Sequence, residues 1–298
     1  MTLSEPTLAA LQEAGMDAVT VEALARRTVE EDLDGGVDVT SVATVPAALQ
    51  GVAAFVPRTA GVVAGTAVAM ACLDVVGDEA LAWRVVRGDG PAAAGQPVLE
   101  VGGPVRLLLT GERSALNLLC HLSGVATLTA RWVAAVDGTG ARIRDTRKTT
   151  PGLRSLEKYA VRVGGGVNHR MSLSDAALVK DNHVIAAGGV APAFEAVRAA
   201  WPGLDVEVEC DTVEQVREVV AVGADLVLLD NMTDGQMRAA VALCRAAGVR
   251  TEASGGLTID RARSVADTGV DYLSVGGLTH SAPVLDLGLD LVVSGRAG

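Results

Sequence analysis

The sequence contains few aromatic residues and little lysine. Its 298 residues include three Trp, two Tyr and two Phe, and the formal net charge is −11. A general nucleic-acid binder needs a basic surface and rings on which bases stack, so this composition argues against that class. Hydrophobic residues make up 49% of the chain and charged residues 20%, which is typical of a globular protein rather than a disordered one.

Cysteine is also scarce, and Cys72, Cys120, Cys210 and Cys244 lie far apart. No two of them have CxxC spacing, which favours reduced packing thiols over disulfides or zinc ligands. The first residues show neither the basic nor the apolar segment of a secretory signal. An apolar stretch at about residues 61–73 is shorter than the ~20 residues that span a bilayer. We therefore expect a soluble, cytoplasmic protein.

Lysine is confined to one part of the chain, at positions 148, 158 and 180, whereas arginine occurs 22 times. Residues 142–180 include nine basic and three acidic side chains, a local charge of +6 in an acidic protein. A solvated basic face is the common explanation of such a run. Here glycine, histidine and threonine are interleaved with the basic residues, which favours a site for a small polyanion.

The pattern of apolar residues divides the chain into two parts. The first part begins with a predicted helix at 20–32. Between residues 42 and 105, apolar runs at 52–56, 81–86 and 97–101 predict a small sheet with one or two helices. A long apolar helix is predicted at 112–136, with a break or kink near Ser123-Gly124.

The second part alternates between short apolar strands and amphipathic helices, which predicts a parallel α/β sheet, either barrel-like or open. The predicted strands are 142–146, 177–180, 205–210, 226–229, 250–253 and 272–275. The predicted helices are 191–200, 212–222, 234–247 and 259–268.

Polar residues or glycine fall at the C-terminal ends of five of these strands. They are Lys180, Glu209, Asp230, Ser254 and Gly276, spaced 21 to 29 residues apart. One such residue is usually a cap, but five at the same edge are hard to explain by capping. The loops at that edge of a parallel α/β barrel converge on the active site, so these residues are predicted to share one mouth.

The chemistry of this predicted mouth is that of an anion-binding site. Arg147, Lys148, His169, Arg170 and Lys180 match a ligand with two or more carboxylates or phosphates, because guanidinium groups bind such groups bidentately. The simpler interpretation is that each arginine forms a surface ion pair and that the histidine has a structural role. Together these residues favour a bound anion.

Two further features of the mouth complete the set. Glu209 and Asp230 suit Mg²⁺ that bridges a phosphate, directly or through water. The alternative is that they pair with the nearby cations. The turns Ser254-Gly255-Gly256 and Gly276-Gly277 expose backbone N–H groups that can bind a phosphate monoester.

The same residues form longer motifs. These are Asp145–Gly152 with Arg154 and Lys158, Gly165–Arg170, Lys180–His183, Glu207–Glu209, Leu229–Asn231, Glu252–Gly256 and Ser274–Gly276, preceded by 32–41 and Gly111–Asn117. In this order they resemble the quinolinate phosphoribosyltransferases over nearly the whole chain.

The resemblance implies an incomplete, open α/β barrel of parallel strands plus an N-terminal α+β domain with a small β-sheet. The expected domains are 1–115, against which 284–298 packs back, and the catalytic barrel 116–283. The implied enzyme is a homodimer. With Mg²⁺ it converts quinolinate and phosphoribosyl pyrophosphate to nicotinate mononucleotide, pyrophosphate and CO₂, a step of NAD biosynthesis.

The resemblance also implies a role for each site residue. Arg147, His169 and Arg170 hold the two quinolinate carboxylates, and Arg113 reaches the same pocket from the neighbouring subunit. Lys148 and Lys180 contact phosphoribosyl pyrophosphate and the reacting centre. Glu209 and Asp230 serve magnesium and the ribose hydroxyls. Ser254, Gly255, Gly256 and Gly276 bind the 5′-phosphate. Thr146 and Gly277 are further substrate-binding residues.

Three alternatives remain. A relative of the same fold could act on another anionic substrate, since a fold alone does not decide function. An isomerase or aldolase would use Lys180 as a Schiff base, but Asp181 favours the charged lysine. A non-catalytic metabolite-binding protein would keep the arginines but has no need of Glu209 and Asp230.

Overall fold

The computed structural model describes residues 3–77 and 81–293. Contacts between residues group the chain into two compact units. The first comprises Met1–Leu128, Ser155–Gly164 and Ala282–Gly298, and the second comprises Thr129–Arg154 and Gly165–Ser281. The domain boundary expected at residue 115 stays a prediction.

The first unit combines helices with two antiparallel sheets. Its helices are α1 (Glu5–Ala14), α2 (Ala18–Leu33), α3 (Val39–Thr44), α4 (Thr66–Asp74), most of α5 (Val105–Ala135) and nearly all of α6 (Arg154–Val163). Its strands are β1 (Gln50–Pro57), β2 (Gly61–Val63), β3 (Ala82–Val85), β4 (Gly90–Ala92), β5 (Leu99–Pro104) and β12 (Leu287–Val293). The larger sheet has the order β12-β1-β5-β3, and β2 pairs with β4.

The small sheet predicted from the sequence is confirmed, and a C-terminal strand extends it. Strand β12 pairs with β1 in antiparallel register, with Val292 opposite Val52. Residues 294–298 of the segment expected to pack back lie outside the described residues.

The long helix α5 is confirmed, but it is continuous through the position of the expected kink. A Cβ atom at Gly124 would lie 2.2 Å from the carbonyl oxygen of Pro283, so this glycine permits close packing rather than a bend. By length and composition α5 could cross a membrane, yet half of its most apolar window is buried inside the protein. Leu108, Leu119 and Leu122 of this helix are fully buried, as in a core helix.

The second unit is built from βα pairs. Its strands are β6 (Arg142–Arg144), β7 (Ala177–Val179), β8 (Val206–Cys210), β9 (Leu226–Asp230), β10 (Arg250–Ser254) and β11 (Tyr272–Ser274). Its helices are α7 (Asp181–Ala187), α8 (Val190–Ala200), α9 (Val213–Ala221), α10 (Asp234–Ala246), α11 (Ile259–Ala266) and α12 (Gly277–His280). All six strands and all four helices predicted for this region are confirmed, with ends that differ by at most two residues.

The six strands form one parallel sheet of order β6-β11-β10-β9-β8-β7. Arg144 of β6 and Glu252 of β10 approach to 2.5 Å, and both interact with Glu207 of β8, whose pKa is raised by burial and lowered by these two contacts. Side chains of alternate strands meet in this way when a sheet curls around them, as in an α/β barrel. Strands β6 and β7 are the edges of the described sheet, so the barrel is open, as expected.

Helix α6 belongs to the first unit although its neighbours in sequence belong to the second. His121 Nε2 lies 2.8 Å from Glu157 Oε1, and the Tyr159 hydroxyl donates to Asp89 at 2.7 Å. Lys158 of the same helix is fully buried. The basic segment 142–180 is therefore divided between the two units, and Lys158 is not part of the mouth.

Candidate active site

The C-terminal ends of the parallel strands surround one cavity of about 370 Å³. Nine of the predicted site residues line it: Thr146, Arg147, Lys148, His169, Arg170, Lys180, Glu209, Asp230 and Ser254. Gly255 and Gly256 follow Ser254 directly, and Gly276 and Gly277 follow β11. Arg113 lies on α5 in the first unit, with an exposed side chain.

The two arginines of the cavity repel each other, and one of them has a donor without an acceptor. The Nε atom of Arg147 is buried and has no hydrogen-bond partner, whereas Arg170 Nη1 donates to the carbonyl of Ala176 at 2.8 Å. Burial lowers the pKa of Arg170, and the neighbouring Arg147 lowers it further. Two like charges and an unpaired buried donor are unfavourable unless an anion binds between them. The arrangement fits the predicted polyanion.

The position of Lys148 is fixed through its backbone. Its backbone N–H donates to Thr146 Oγ1 at 3.0 Å, and its carbonyl accepts from Thr279 Oγ1 at 2.6 Å. A Cβ atom at Gly276 would lie 2.9 Å from Lys148 Cδ, so this glycine leaves room for the lysine side chain. The sequence suggests a phosphate-binding role for Gly276, and the packing against Lys148 is a second reason for glycine there.

Glu209 lies next to the end of β8, and Asp230 ends the adjacent strand β9, as predicted. Burial raises the pKa of Glu209, Lys180 lowers it and Asp230 raises it. Burial also raises the pKa of Asp230, to which Asn231 donates at 2.5 Å. Asp211 also raises the pKa of Asp230. Two partly buried carboxylates whose charged forms are disfavoured provide oxygen ligands of the kind that Mg²⁺ prefers. The donor set fits the ion.

The turn after Ser254 requires glycine. Gly255 has φ of +87°, and a Cβ atom there would lie 2.3 Å from Asn231 Oδ1. Ser254 pairs in register with Asp230. The glycine therefore brings two neighbouring turns of the mouth together.

A buried polar network reaches the wall of the cavity through His169, Glu252 and Ser274, and of its members sequence analysis assigned a role only to His169. Arg144 Nη1 lies 2.5 Å from Glu252 Oε2, and Ser274 Oγ donates to the same carboxylate. His169 Nε2 lies 2.8 Å from Glu207 Oε2. Burial raises the pKa of Glu207 and of Glu252. The signal in the sequence is the pair of glutamates at inward-facing strand positions, where apolar residues are usual.

His169 lines the cavity, but both of its ring nitrogens have protein partners. The backbone N–H of Arg170 donates to His169 Nδ1 at 2.7 Å, so this nitrogen is an acceptor and the ring proton lies on Nε2, which faces Glu207. His169, Glu207 and Glu252 have ligand atoms within 4.8 Å of one another, the spacing of a metal site. The Arg144 guanidinium already supplies positive charge there, and Glu207 Oε1 is buried without a hydrogen-bond partner.

The chain matches two family models in sequence order. The model for the N-terminal domain of quinolinate phosphoribosyl transferase matches residues 38–123, and the model for its C-terminal domain matches residues 125–290. The chain belongs to the quinolinate phosphoribosyltransferase family. The resemblance identified in the sequence is thereby confirmed.

Relatives of known name or structure match most of the chain. It is 54% identical to the carboxylating nicotinate-nucleotide pyrophosphorylase of Mycobacterium leprae, over 89% of this chain and 95% of that protein. It is 39% identical to the human protein of the same name, over 92% of each. The crystal structure of NadC from Streptococcus pyogenes matches with a TM-score of 0.88 and 38% identity, over 93% of this chain and 98% of that one.

Proposed function

We propose that this protein is a decarboxylating quinolinate phosphoribosyltransferase. It transfers the phosphoribosyl group of phosphoribosyl pyrophosphate to quinolinate and releases pyrophosphate and CO₂, giving nicotinate mononucleotide for NAD biosynthesis. One observation carries this proposal. In a chain of this family, the buried Nε of Arg147 has no hydrogen-bond partner and lies in the cavity beside the like charge of Arg170. No comparison favours another anionic substrate, a Schiff-base enzyme or a binding protein.

The dicarboxylate binds to the arginine side of the cavity. Arg147 and Arg170 provide guanidinium groups that match two carboxylates, with Thr146 and His169 beside them. Phosphoribosyl pyrophosphate occupies the other side, where Lys148 and Lys180 bind its pyrophosphate. Its 5′-phosphate is bound at the turns that contain Ser254, Gly255, Gly256, Gly276 and Gly277.

The first chemical step breaks the bond between the anomeric carbon and pyrophosphate, and the pyridine nitrogen of quinolinate forms the new bond. Glu209 or Asp230 stabilises the positive charge on the sugar, and the two lysines stabilise the leaving group. Glu209 and Asp230 would also hold Mg²⁺, directly or through water, and the ion would add positive charge near the pyrophosphate.

The second step breaks the bond between C2 of the pyridine ring and its carboxylate. The electron pair stays on C2 as an ylide next to the positively charged nitrogen, CO₂ leaves, and C2 then takes a proton from solvent. Lys148 is the residue that we place beside this carbon, because a cationic amine stabilises the developing carbanion.

A direct assay tests the function. With Mg²⁺, quinolinate and phosphoribosyl pyrophosphate should give nicotinate mononucleotide and CO₂ in equal amounts, and nicotinate in place of quinolinate should give at least about a hundredfold less product, since it leaves one arginine unpaired. EDTA should stop turnover, and excess Mg²⁺ should restore it. Equal turnover of nicotinate, or no turnover of quinolinate by folded protein, would refute the proposal.

We further infer that the enzyme is a cytoplasmic homodimer, and that Arg113 of one subunit completes the site of the other. Its exposed position on α5, with no ion pair among the described residues, supports this role. The four free cysteines, three of them buried, suit a reducing compartment.

Mixed dimers test the sharing of Arg113. Arg113→Ala and Lys148→Ala homodimers should both be inactive, because each lacks one group at both sites. When the two chains are unfolded together and refolded in equal amounts, each mixed dimer regains one complete site, so about a quarter of wild-type activity should return. A mixture as inactive as its components would show that Arg113 does not act across the dimer.

A further inference from the structure

The cations that face the predicted dicarboxylate lie on two separate segments. Arg147 and Lys148 follow strand β6, whereas His169 and Arg170 follow helix α6. Neither pair lies within a helix or a strand. Because Arg147 and Arg170 carry like charges and lie close enough for Arg147 to lower the pKa of Arg170, the two segments must be held together by other groups.

Backbone hydrogen bonds align the segments as far as Val167. The N–H of Val167 donates to the carbonyl of Ile143 at 2.8 Å, and the N–H of Asp145 donates to the carbonyl of Val167 at 3.1 Å. A parallel bridge links Arg144 to Val167. Beyond Val167 a side chain, rather than the backbone, holds the two segments together.

That side chain is Asp145, which is completely buried. Its Oδ1 accepts the backbone N–H of His169 at 2.8 Å, and its Oδ2 accepts from Asn168 Nδ2 at 2.5 Å. Both carboxylate oxygens therefore hold the second segment, and Asp145 itself lies two residues before Arg147. Hydrogen bonds to a charged acceptor are roughly twice as strong as neutral ones.

We propose that Asp145 is a positioning residue that sets the distance between the guanidinium groups of Arg147 and Arg170, and so the fit of the dicarboxylate substrate. The inference rests on the proposed function for the identity of that substrate. Asp145 touches no substrate; it acts through the two loops. Bidentate recognition depends on this spacing, because a displacement of about 1 Å in a binding group can cost a hundredfold in rate.

The test compares quinolinate with phosphoribosyl pyrophosphate in Asp145→Asn. The substituted amide has one acceptor oxygen, and its NH₂ group faces the NH₂ group of Asn168. We expect the Kd for quinolinate, measured by calorimetry, and its KM to rise roughly tenfold to a hundredfold. The KM for phosphoribosyl pyrophosphate should change by less than about threefold, because Lys148 is held by its own bonds to Thr146 and Thr279 and the glycine turns are not attached to Asp145. Asp260→Asn, an exposed change on α11, serves as the matched control.

A swapped variant distinguishes positioning from general damage. In Asp145→Asn combined with Asn168→Asp, the amide at 145 accepts from His169 and donates to the carboxylate at 168, so both hydrogen bonds return with one reversed. Quinolinate affinity should recover to within about threefold of wild type. A folded swap that stays as weak as the single variant overturns the proposal, as does a single variant that binds quinolinate normally.

If Asp145→Asn does not fold, Asn168→Ala decides the question, because it removes one of the two hydrogen bonds at a partly exposed position. A rise of about threefold or more in the quinolinate Kd supports the positioning role, and an unchanged Kd refutes it. If the folded wild-type enzyme does not turn over quinolinate, the proposed function is refuted instead. Calorimetry separates this result from a failure of the positioning role, because it measures quinolinate binding without turnover.

Discussion

Replacing Lys148 with alanine should lower turnover by roughly a thousandfold or more without unfolding the protein. The side chain lies in the cavity, where we place it beside both the leaving pyrophosphate and the carbon that loses CO₂. Loss of one such charged group from a desolvated site removes stabilisation in the transition state, and kcat therefore falls more than either KM rises.

The protein should stay folded because the contacts that hold this loop are made by the backbone. The Lys148 N–H and carbonyl keep their bonds to Thr146 and Thr279 when the side chain is shortened. Steady-state kinetics and circular dichroism test both parts of the prediction. Arg238→Ala, a change on the exposed side of α10, is the matched control and should retain wild-type kcat. A folded Lys148→Ala enzyme with kcat within tenfold of wild type would exclude the assigned role.

The second unit could be predicted closely because its strands are short, apolar and regularly spaced. The central strands β8, β9 and β10 are buried along most of their length, and β9 is a continuous apolar run that ends at a polar residue. In a parallel sheet those ends lie at one edge. The spacing alone therefore predicts that Lys180, Glu209, Asp230 and Ser254 share one mouth, and all four line the cavity.

Helices α6 and α7 are among those that sequence analysis missed. Helix α7 has no buried residue, so nothing distinguishes it from a loop. Helix α6 buries Glu157 and Lys158, polar residues that indicate a surface rather than a core. Their burial depends on partners distant in sequence, such as His121.

The supporting residues of the site were missed for a related reason. Asp145 and Thr279 act through backbone groups of other loops, and no residue type identifies such partners in advance. Glu207 and Glu252 were visible in motifs, but their network requires strands two positions apart to meet in the barrel interior.

The buried network also predicts how stability depends on pH. Burial raises the pKa of Glu252 from its ordinary 4.5 to about 7, with Glu207 raising it as well and Arg144 lowering it. Ser274 donates to the ionised form. In the unfolded chain the carboxyl has its ordinary pKa. Between pH 4.5 and about 7 the folded protein therefore holds a proton that the unfolded chain has released.

It follows that the free energy of unfolding falls as pH rises through this window, by at most about 1.4 kcal/mol per pH unit for each such group. The contribution is complete below pH 4.5 and is lost above about 7. Glu252→Gln removes the titrating group and keeps its size. Between pH 5 and pH 8 the wild-type protein should lose on the order of 2 kcal/mol more stability than the variant.

Urea unfolding at one-unit intervals between these pH values measures the difference, with the same buffer ions and salt throughout. Glu214→Gln is the matched control, since the Glu214 side chain is 74% exposed and its removal should leave the wild-type slope unchanged. Equal slopes for wild type and Glu252→Gln would show that Glu252 is ionised in the folded protein across the whole range. In that case the Arg144–Glu252 contact is a full ion pair, and the positive charge of Arg144 does not add to that of the arginines that line the cavity.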